Sequence, residues 1–478
     1  MFSKEVYIAR RQALVKKMQE QGAQGIAVFL GNADAAMNYK DNCFRFRQDS
    51  TFVYFWGIDE PGFAASINLA NGKECIYGND VDIDDIIWMG PQPSVDDKAE
   101  LVGVQRTAPL KDFETAVQFA LQNDIPVHFL PSGRNYNRLR MAELTGTPAS
   151  EVYKTAPYDD GDLVHSSLEL TKAVIELRLI KEECEIAEID KACDLGVIMH
   201  TIGRQGCKVG ALERDIAGAM DAFANTKGWG VSFPTILSQN GQILHGHDHS
   251  QIITDGRLLL IDAGLCMDNY YCSDFTRTYP CGGRFTQQQR EIYDIVEGCN
   301  ELAFQLAKPG VTYRSVHIES SKLMLQGLKD LGILNGDVEE MCQEGIAGMF
   351  QPHGLGHNMG LDVHDMEDLG ENLVGYDPDQ SRANQLGLGS LRMARKLVPG
   401  HVISDEPGIY FIPALWDYFR KNNMDKGFVN FDRLQAYAGF GGIRLEDDVL
   451  ITADGSRHLG TTRLPIKSAD VEEAMGKE

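Results

Sequence analysis

Four acids placed where acids are costly constrain this chain more than anything else in it. Asp262 closes the run Leu-Leu-Leu-Ile-Asp, Asp274 stands in YYCSDFTRT, Glu406 ends PGHVISDE and opens EPGIYF, and Glu446 stands in GGIRLEDDVLIT. Each string reads as a buried strand, and burying an unpaired carboxylate costs several kcal/mol unless a cation compensates. The chain carries 69 Asp and Glu against 45 Lys and Arg, a formal charge of −24. Most of those acids are solvated surface, the ordinary place for them. A field of that sign repels phosphate backbones, so nucleic acid is excluded as a general partner. No stretch approaches the ~20 apolar residues that span a bilayer, and no membrane partner is expected.

The 478 residues allow two to four domains at ~100–200 residues each. Residues 1–160 read as an α/β domain. An amphipathic helix, MFSKEVYIARRQALVKKM, precedes a strand at 25–31 (GIAVFLG), an aromatic-rich segment at 46–67, and strand candidates KECIYG and IPVHFLP. That N-terminus has no apolar core of signal-peptide length. The ten cysteines are scattered without a CxxC pair, which indicates neither a disulfide framework nor a cysteine zinc site. A soluble, cytoplasmic protein is expected. Around 147–168 the composition turns small and polar, as suits an inter-domain connection. From 169 onward apolar residues recur at helical spacing, with further helices at 211–228 and 286–307 and a polar loop at 367–390.

A weak internal echo runs through this second part. Asp262 lies six residues after Gly256 and Glu406 six after Gly400, and in each half a following strand offers another acid, Asp274 or Glu446. Two strand pairs, each presenting two carboxylates, would suit a pseudo-two-fold sheet around a central cation site. His357, in QPHGLGHNMGLDVHD, adds an imidazole. Four carboxylates and one imidazole make a hard ligand set suited to Mn²⁺, Co²⁺ or Zn²⁺ rather than copper. Four negative charges balance two divalent ions, and without metal several of the acids would take up protons. Any one such Asp is more often a strand-end or turn residue, and a lone His357 more often an ordinary loop histidine. All five in this order, each in its own string, are not explained that way.

The strings IDAG…SDFTRT, HGLGHNMGLDVHD, DEPGIYF and GGIRLEDD resemble the metal-ligand blocks of the pita-bread metallopeptidases that act on Xaa-Pro bonds, the prolidases and aminopeptidases P. The segment at 46–67, with FRQDS and DEPG, looks like their N-terminal domain. The resemblance covers essentially the whole chain. It implies an α/β N-terminal domain (1–160) followed by an α+β pita-bread catalytic domain (161–478) with pseudo-two-fold symmetry. It also implies two divalent ions, Mn²⁺ first and Co²⁺ or Zn²⁺ as alternatives, and a homodimer. In that family's pattern Asp262 chelates one metal, His357 and Glu406 the other, and Asp274 and Glu446 bridge them. Glu406 is also the proton shuttle. His245 matches a histidine that steadies substrate, His353 and His364 match two outer histidines, and Arg444 matches an arginine of the substrate site. Three departures are visible. The run between Asp262 and Asp274 is one residue longer than the pattern, which we read as a changed hairpin. Asp405 stands where a small or apolar residue is usual, and strand alternation should turn it away from the metals. The trio His245, His247 and His249 suggests a separate site, against the plainer reading that only His245 matters.

Prolidases and aminopeptidases P share this chemistry and differ in what holds the far end of the substrate. Arg392, fourteen residues before Glu406, falls where prolidases carry an arginine for the proline carboxylate, and guanidinium grips carboxylate bidentately. The alternative is a surface arginine paired with one of many acids. The long aromatic stretch between Glu406 and Glu446, also prolidase-like, could pack over the site or form a dimer surface. The expectation is therefore an Xaa-Pro dipeptidase acting on proline-containing dipeptides. The alternative is an Xaa-Pro aminopeptidase acting on longer peptides, and a more distant one is a non-catalytic binding module of the same fold.

Overall fold

Short apolar strings alternating with helices build a five-stranded sheet in the first part of the chain. The computed structural model describes residues 1–148 and 167–476. They form two units, Met1–Leu179 with Met366–Val374, and Ile180–Asp365 with Gly375–Glu478. The boundary expected at 160/161 lies outside the described residues.

In the first unit β1 (Ile26–Leu30), β2 (Ala64–Asn68), β3 (Glu74–Tyr77), β4 (Thr107–Ala108) and β5 (Val127–His128) run in the order β4-β3-β2-β1-β5. β1 is antiparallel to β2 and parallel to β5. The aromatic-rich segment forms the helix Ser50–Trp56, started by the Asp49 carboxylate accepting the Phe52 N–H. It buries Phe52, Phe55 and Trp56, each contributing about 1.5–3 kcal/mol on leaving water. The N-terminal helix Lys4–Glu20 buries Arg10 and Arg11 beside Tyr7, Leu14 and Met18. Those two charges are tolerated because they cap backbone carbonyls: Arg10 donates to Tyr54, and Arg11 to Phe55 and Val102. Arg11 also pairs with Glu74. The helix Ile83–Met89 is held by an Asp82/Asp85 capping box and buries none of its residues. Trp88 is 85% exposed beside exposed Ile83, Ile87 and Met89.

The second unit contains β6 (Gly230–Val231), β7 (Ile236–Ser238), β8 (Leu258–Ala263), β9 (Leu265–Cys266), β10 (Phe275–Pro280), β11 (Val402–Asp405), β12 (Gly408–Tyr410), β13 (Gly442–Arg444), β14 (Asp447–Ile451) and β15 (Ser456–His458). The echo in the sequence is two antiparallel pairs. β8 pairs with β10, placing Asp262 opposite Thr276, and β11 pairs with β14, placing Asp405 opposite Asp447. A bridge between Thr276 and Glu446 links the pairs. Gly256 and Gly400, at φ +74° and +93°, make the turns into β8 and β11, a backbone region that side chains disfavour. The long helices Glu183–Gly206, Glu213–Lys227, Gln287–Leu306 and Tyr313–Asp330 belong to this unit, and an apolar core gathers Leu259 and Ile261 of β8 with Met199, Met220 and Ile292.

Two segments gain detail here. The aromatic stretch between Glu406 and Glu446 places Trp416, Phe419, Leu434 and Tyr437 in that same core, with Phe411 stacked on Tyr437 at 4.5 Å, while Tyr418 is exposed. The loop at 367–390 contains short helical turns at Glu367–Leu369, Glu371–Gly375 and Leu388–Ser390, and its beginning belongs to the first unit. No helix among the described residues is long and apolar enough to cross a membrane.

Candidate metal centre and active site

The linked strand pairs bring chemistry from four strings to one place. Ligand atoms of Asp274, His357 and Glu446 all lie within 4.8 Å of one another, and the three residues are buried. His357 reaches them because its segment runs beside β11: its N–H donates to Ser404 Oγ, its carbonyl accepts from the Ser404 N–H, and Asn358 bridges to Ile403. Glu406, just past β11, places Oε1 3.8 Å from His357 Nε2 and Oε2 3.7 Å from His353 Nδ1.

The tautomer of His357 follows from its contacts. Nδ1 lies 3.1 Å from the Asn358 carbonyl, which can only accept, so Nδ1 carries the proton. In the neutral ring Nε2 is then a lone pair, facing Asp274 Oδ2 at 3.5 Å and Glu406 Oε1 at 3.8 Å. Acceptors facing acceptors are repulsive unless a cation or added protons lie among them. Asp274 Oδ1 and Asp262 Oδ1 are buried without a hydrogen-bond partner. Burial pushes the Asp274 and Glu446 carboxyls well above the usual carboxylate range, and the neighbouring acids add to it. Burial raises Glu406 as well, against the opposing pull of His357 and Arg444. Oxygen donors, one imidazole lone pair and acids that resist ionisation fit a divalent ion.

Asp262 stands apart from the three-residue group, and its Oδ2 accepts from Arg444 Nη2. Arg444 is 3% exposed. Burial opposes its charge, but the Tyr410 hydroxyl and the Asp262, Glu406 and Glu446 carboxyls hold its pKa well above the ordinary value. Two directed relays start from this guanidinium. Nε donates to Thr276 Oγ1, whose hydroxyl donates to Glu446 Oε2 at 2.7 Å. Nη1 donates to the Tyr410 oxygen at 2.7 Å, and the Tyr410 hydroxyl donates to His353 Nε2 at 2.8 Å. His353 Nδ1 in turn donates to the Gly354 carbonyl. Burial and Arg444 push His353 down to about 3, so it is neutral.

His364 stacks on His357 with centroids 3.8 Å apart, and its Nδ1 accepts from Arg392 Nη1 at 3.3 Å. His245 lies on the exposed loop after β7. Burial of its ring and the Arg444 charge lower its pKa, with Asp262 opposing. His247 and His249 both turn to the Thr235 carbonyl, so the trio does not converge on an ion. Asp405 is buried opposite Asp447, whose carboxylate is held by Arg277 and Arg463.

The profile of Metallopeptidase family M24 matches residues 187–453, more than half of the chain. The chain belongs to metallopeptidase family M24. The Aminopeptidase P N-terminal domain matches residues 7–128. The Xaa-Pro aminopeptidase of Escherichia coli is 31% identical over 480 residues, covering 99% of this chain and 98% of that protein. The Xaa-Pro dipeptidase of Rattus norvegicus is 29% identical over 484 residues, 98% and 93% of the two chains. The solved structure of proline aminopeptidase P II from Yersinia pestis superposes with a TM-score of 0.79 at 27% identity, over 99% of each chain. The α/β N-terminal domain and pita-bread catalytic domain expected from the sequence are both present.

M24 chains are metallopeptidases, and in this one several contributors lie outside the expected set. Tyr410 and Thr276 carry the relays, although each sat in a string already singled out, DEPGIYF and SDFTRT. Asp448 accepts the Asp274 N–H at 2.9 Å and so fixes that residue's backbone. No spacing marks these residues, because their roles depend on register across the strand pairs.

Proposed function

We propose that this M24 chain is an Xaa-Pro exopeptidase working with two divalent ions held by Asp262, Asp274, His357, Glu406 and Glu446. Mn²⁺ is the first candidate, and Co²⁺ and Zn²⁺ follow. The observation that carries the metal reading is the His357 Nε2 lone pair set against the Asp274 and Glu406 carboxyls. Such ions, when bound, supply an acidified water and an electrophile for the scissile carbonyl.

The chain's own groups supply the rest. A prolyl nitrogen is a tertiary amide with no N–H, so it must receive a proton as it leaves. Glu406, with its pKa raised by burial and its side chain 19% exposed, is placed to take and return that proton. His245 and His364 serve as donors to substrate, Arg392 and Arg444 as its cationic contacts. Both nitrogens of His353 are engaged, so its part is to hold Tyr410 and through it Arg444. That makes His353 a positioning residue rather than a proton donor.

The dipeptidase reading comes first and rests on Arg392, which lies beside His364 and pulls electrostatically on Glu406. A guanidinium there would grip the carboxylate of a dipeptide. The aminopeptidase reading is supported by the match to the E. coli enzyme over nearly the whole of both chains. A homodimer belongs to the same proposal, supported by the exposed apolar helix Ile83–Met89. So does a cytoplasmic location, in keeping with the free thiols of all ten cysteines. The test compares an Xaa-Pro dipeptide with an Xaa-Pro-Yaa tripeptide on Mn²⁺-loaded protein, before and after exhaustive chelation. Faster turnover of the dipeptide, lost on chelation and restored by Mn²⁺ or Co²⁺, is expected. Preference for the tripeptide would establish the aminopeptidase reading, and turnover indifferent to chelator would overturn the metal assignment. No turnover of either would return the binding-module reading.

A further inference from the structure

The loop that carries His245 is anchored by a single buried side chain far from it in sequence. Glu213 opens the helix Glu213–Lys227 and is fully buried. Its Oε1 accepts the Gln239 N–H at 2.7 Å and its Oε2 the Gln251 N–H at 3.3 Å. Those two amides bound the segment 239–251, and His245 stands at its midpoint, six residues from each.

The same junction is tied from several other directions. The Glu213 N–H donates to the Gln251 carbonyl, Gly210 donates to Ile253, and Ile253 donates to Ala211, so the strand-like entry to the helix pairs with the loop's exit. Gln239, 2% exposed, uses its own amide to cross the loop: Nε2 donates to the Ile252 carbonyl and Oε1 accepts the Thr254 N–H. On the other side the loop's entry continues from β7, where Ile236 lies opposite Asp262. The base of the loop is thus referenced to the strand that carries a candidate metal ligand, while its tip is exposed.

We infer that Glu213 is a positioning residue for His245, joining both ends of the loop so that the imidazole is held toward the Asp262–Arg444 side of the site. The inference rests on the role proposed above for His245. Two backbone N–H groups aimed at one carboxylate are the geometry of charge-assisted hydrogen bonds. With an amide in place of the carboxylate, one of those donors meets an NH₂ group and loses its acceptor. The ring at the loop's midpoint then samples a wider range of positions, while none of the metal-site donors is touched.

The experiment is a double-mutant cycle on the Mn²⁺-loaded enzyme with an Xaa-Pro dipeptide, pairing Glu213→Gln with His245→Ala. Glu213→Gln should lower kcat about tenfold with KM changed less, since misplacing a reacting group by 1 Å is worth up to ~100-fold. In the His245→Ala background the same change should cost less than about twofold, since residues that act through one another are non-additive. The Mn²⁺ content should equal that of the wild type. A full, additive loss in the double variant would overturn the positioning role while leaving His245 in place. A His245→Ala enzyme of wild-type activity would overturn the role of His245, and this inference with it. If Glu213→Gln does not fold, amide exchange in the wild type decides. Slow exchange at Gln239 and Gln251 with fast exchange between them is expected, and fast exchange at both anchors would overturn the clamp.

Discussion

Loading the site with metal must displace protons, and the number displaced tests the electrostatic reading directly. Asp274 and Glu446 are held well above the usual carboxylate range by burial and by the neighbouring acids. A carboxyl raised in this way keeps its proton to higher pH in the metal-free protein, whereas a ligating carboxylate is ionised. Filling the site should therefore release protons, and the apparent affinity should rise with pH, about tenfold per pH unit for each proton displaced. The sign for stability follows. A carboxyl whose folded pKa is raised contributes stability that is complete below its unfolded pKa and is lost as pH rises through the folded value. The metal-free Tm should fall from pH 5 upward, the Mn²⁺-loaded Tm should fall less, and the gap should widen. Asp448, pushed up to about 8 by burial, contributes to the fall in both forms. Calorimetric titration with Mn²⁺ in buffers of different ionisation enthalpy gives the proton count, and scanning calorimetry gives the gap. Release of no protons, or a gap that narrows with pH, would refute the reading of these carboxyls as displaced acids.

Three further outcomes are expected. Glu406→Gln should abolish turnover by about 100-fold or more while Mn²⁺ is still retained, as befits loss of a general acid–base; near wild-type kcat would remove the proton-shuttle role. Arg392→Ala should raise KM for Xaa-Pro dipeptides far more than for longer peptides, and an equal effect on both would remove the dipeptidase reading. His317, on the helix Tyr313–Asp330, is pushed down to about 4 by burial and Arg314. A depressed histidine pKa gives stability that is present above about 6.5 and lost as pH falls toward 4, on the order of 3 kcal/mol. His317→Leu should accordingly flatten part of the acid-side loss in urea unfolding, with other buried histidines such as His200 and His401, each also near 4, contributing to the rest.

What the sequence made legible was whatever could be written as a local string. The acids in apolar runs become β8, β11 and the residues beside β10 and β14, because an apolar run with a terminal acid has few ways to be buried. The echo through Gly256 and Gly400 becomes two turns into two strand pairs, since both positions need a backbone that glycine adopts easily. The relays were not legible. Thr276 reaches Glu446 only because β10 lies beside the β13–β14 junction, and Tyr410 reaches Arg444 only because β12 pairs with β13, Gly408 opposite Arg444. The aromatic stretch after Glu406 was left open by the sequence for a related reason. Its apolar residues could face a substrate, a partner or a core, and only tertiary packing around Phe411 selects the core. Pairing distances of more than 160 residues, as between Thr276 and Glu446, leave no periodic mark.

Arg444 also changes the count of charges on which the metal reading depends. Read from the sequence, four carboxylates balance two divalent ions, and any anionic nucleophile then leaves the buried site negative. The structure adds a guanidinium that stays charged among those carboxyls, bonded to Asp262 and to the Thr276 hydroxyl that serves Glu446. His353 is neutral, and the lone pair of His357 adds no charge in the ligating form. One divalent ion would leave the cluster one charge negative, and an anionic nucleophile would make that worse in a site where uncompensated charge is costly. Two ions leave it one charge positive, and the nucleophile brings it to neutrality. With Arg444 counted, the balance over these carboxyls supports the proposed loading with two ions rather than one.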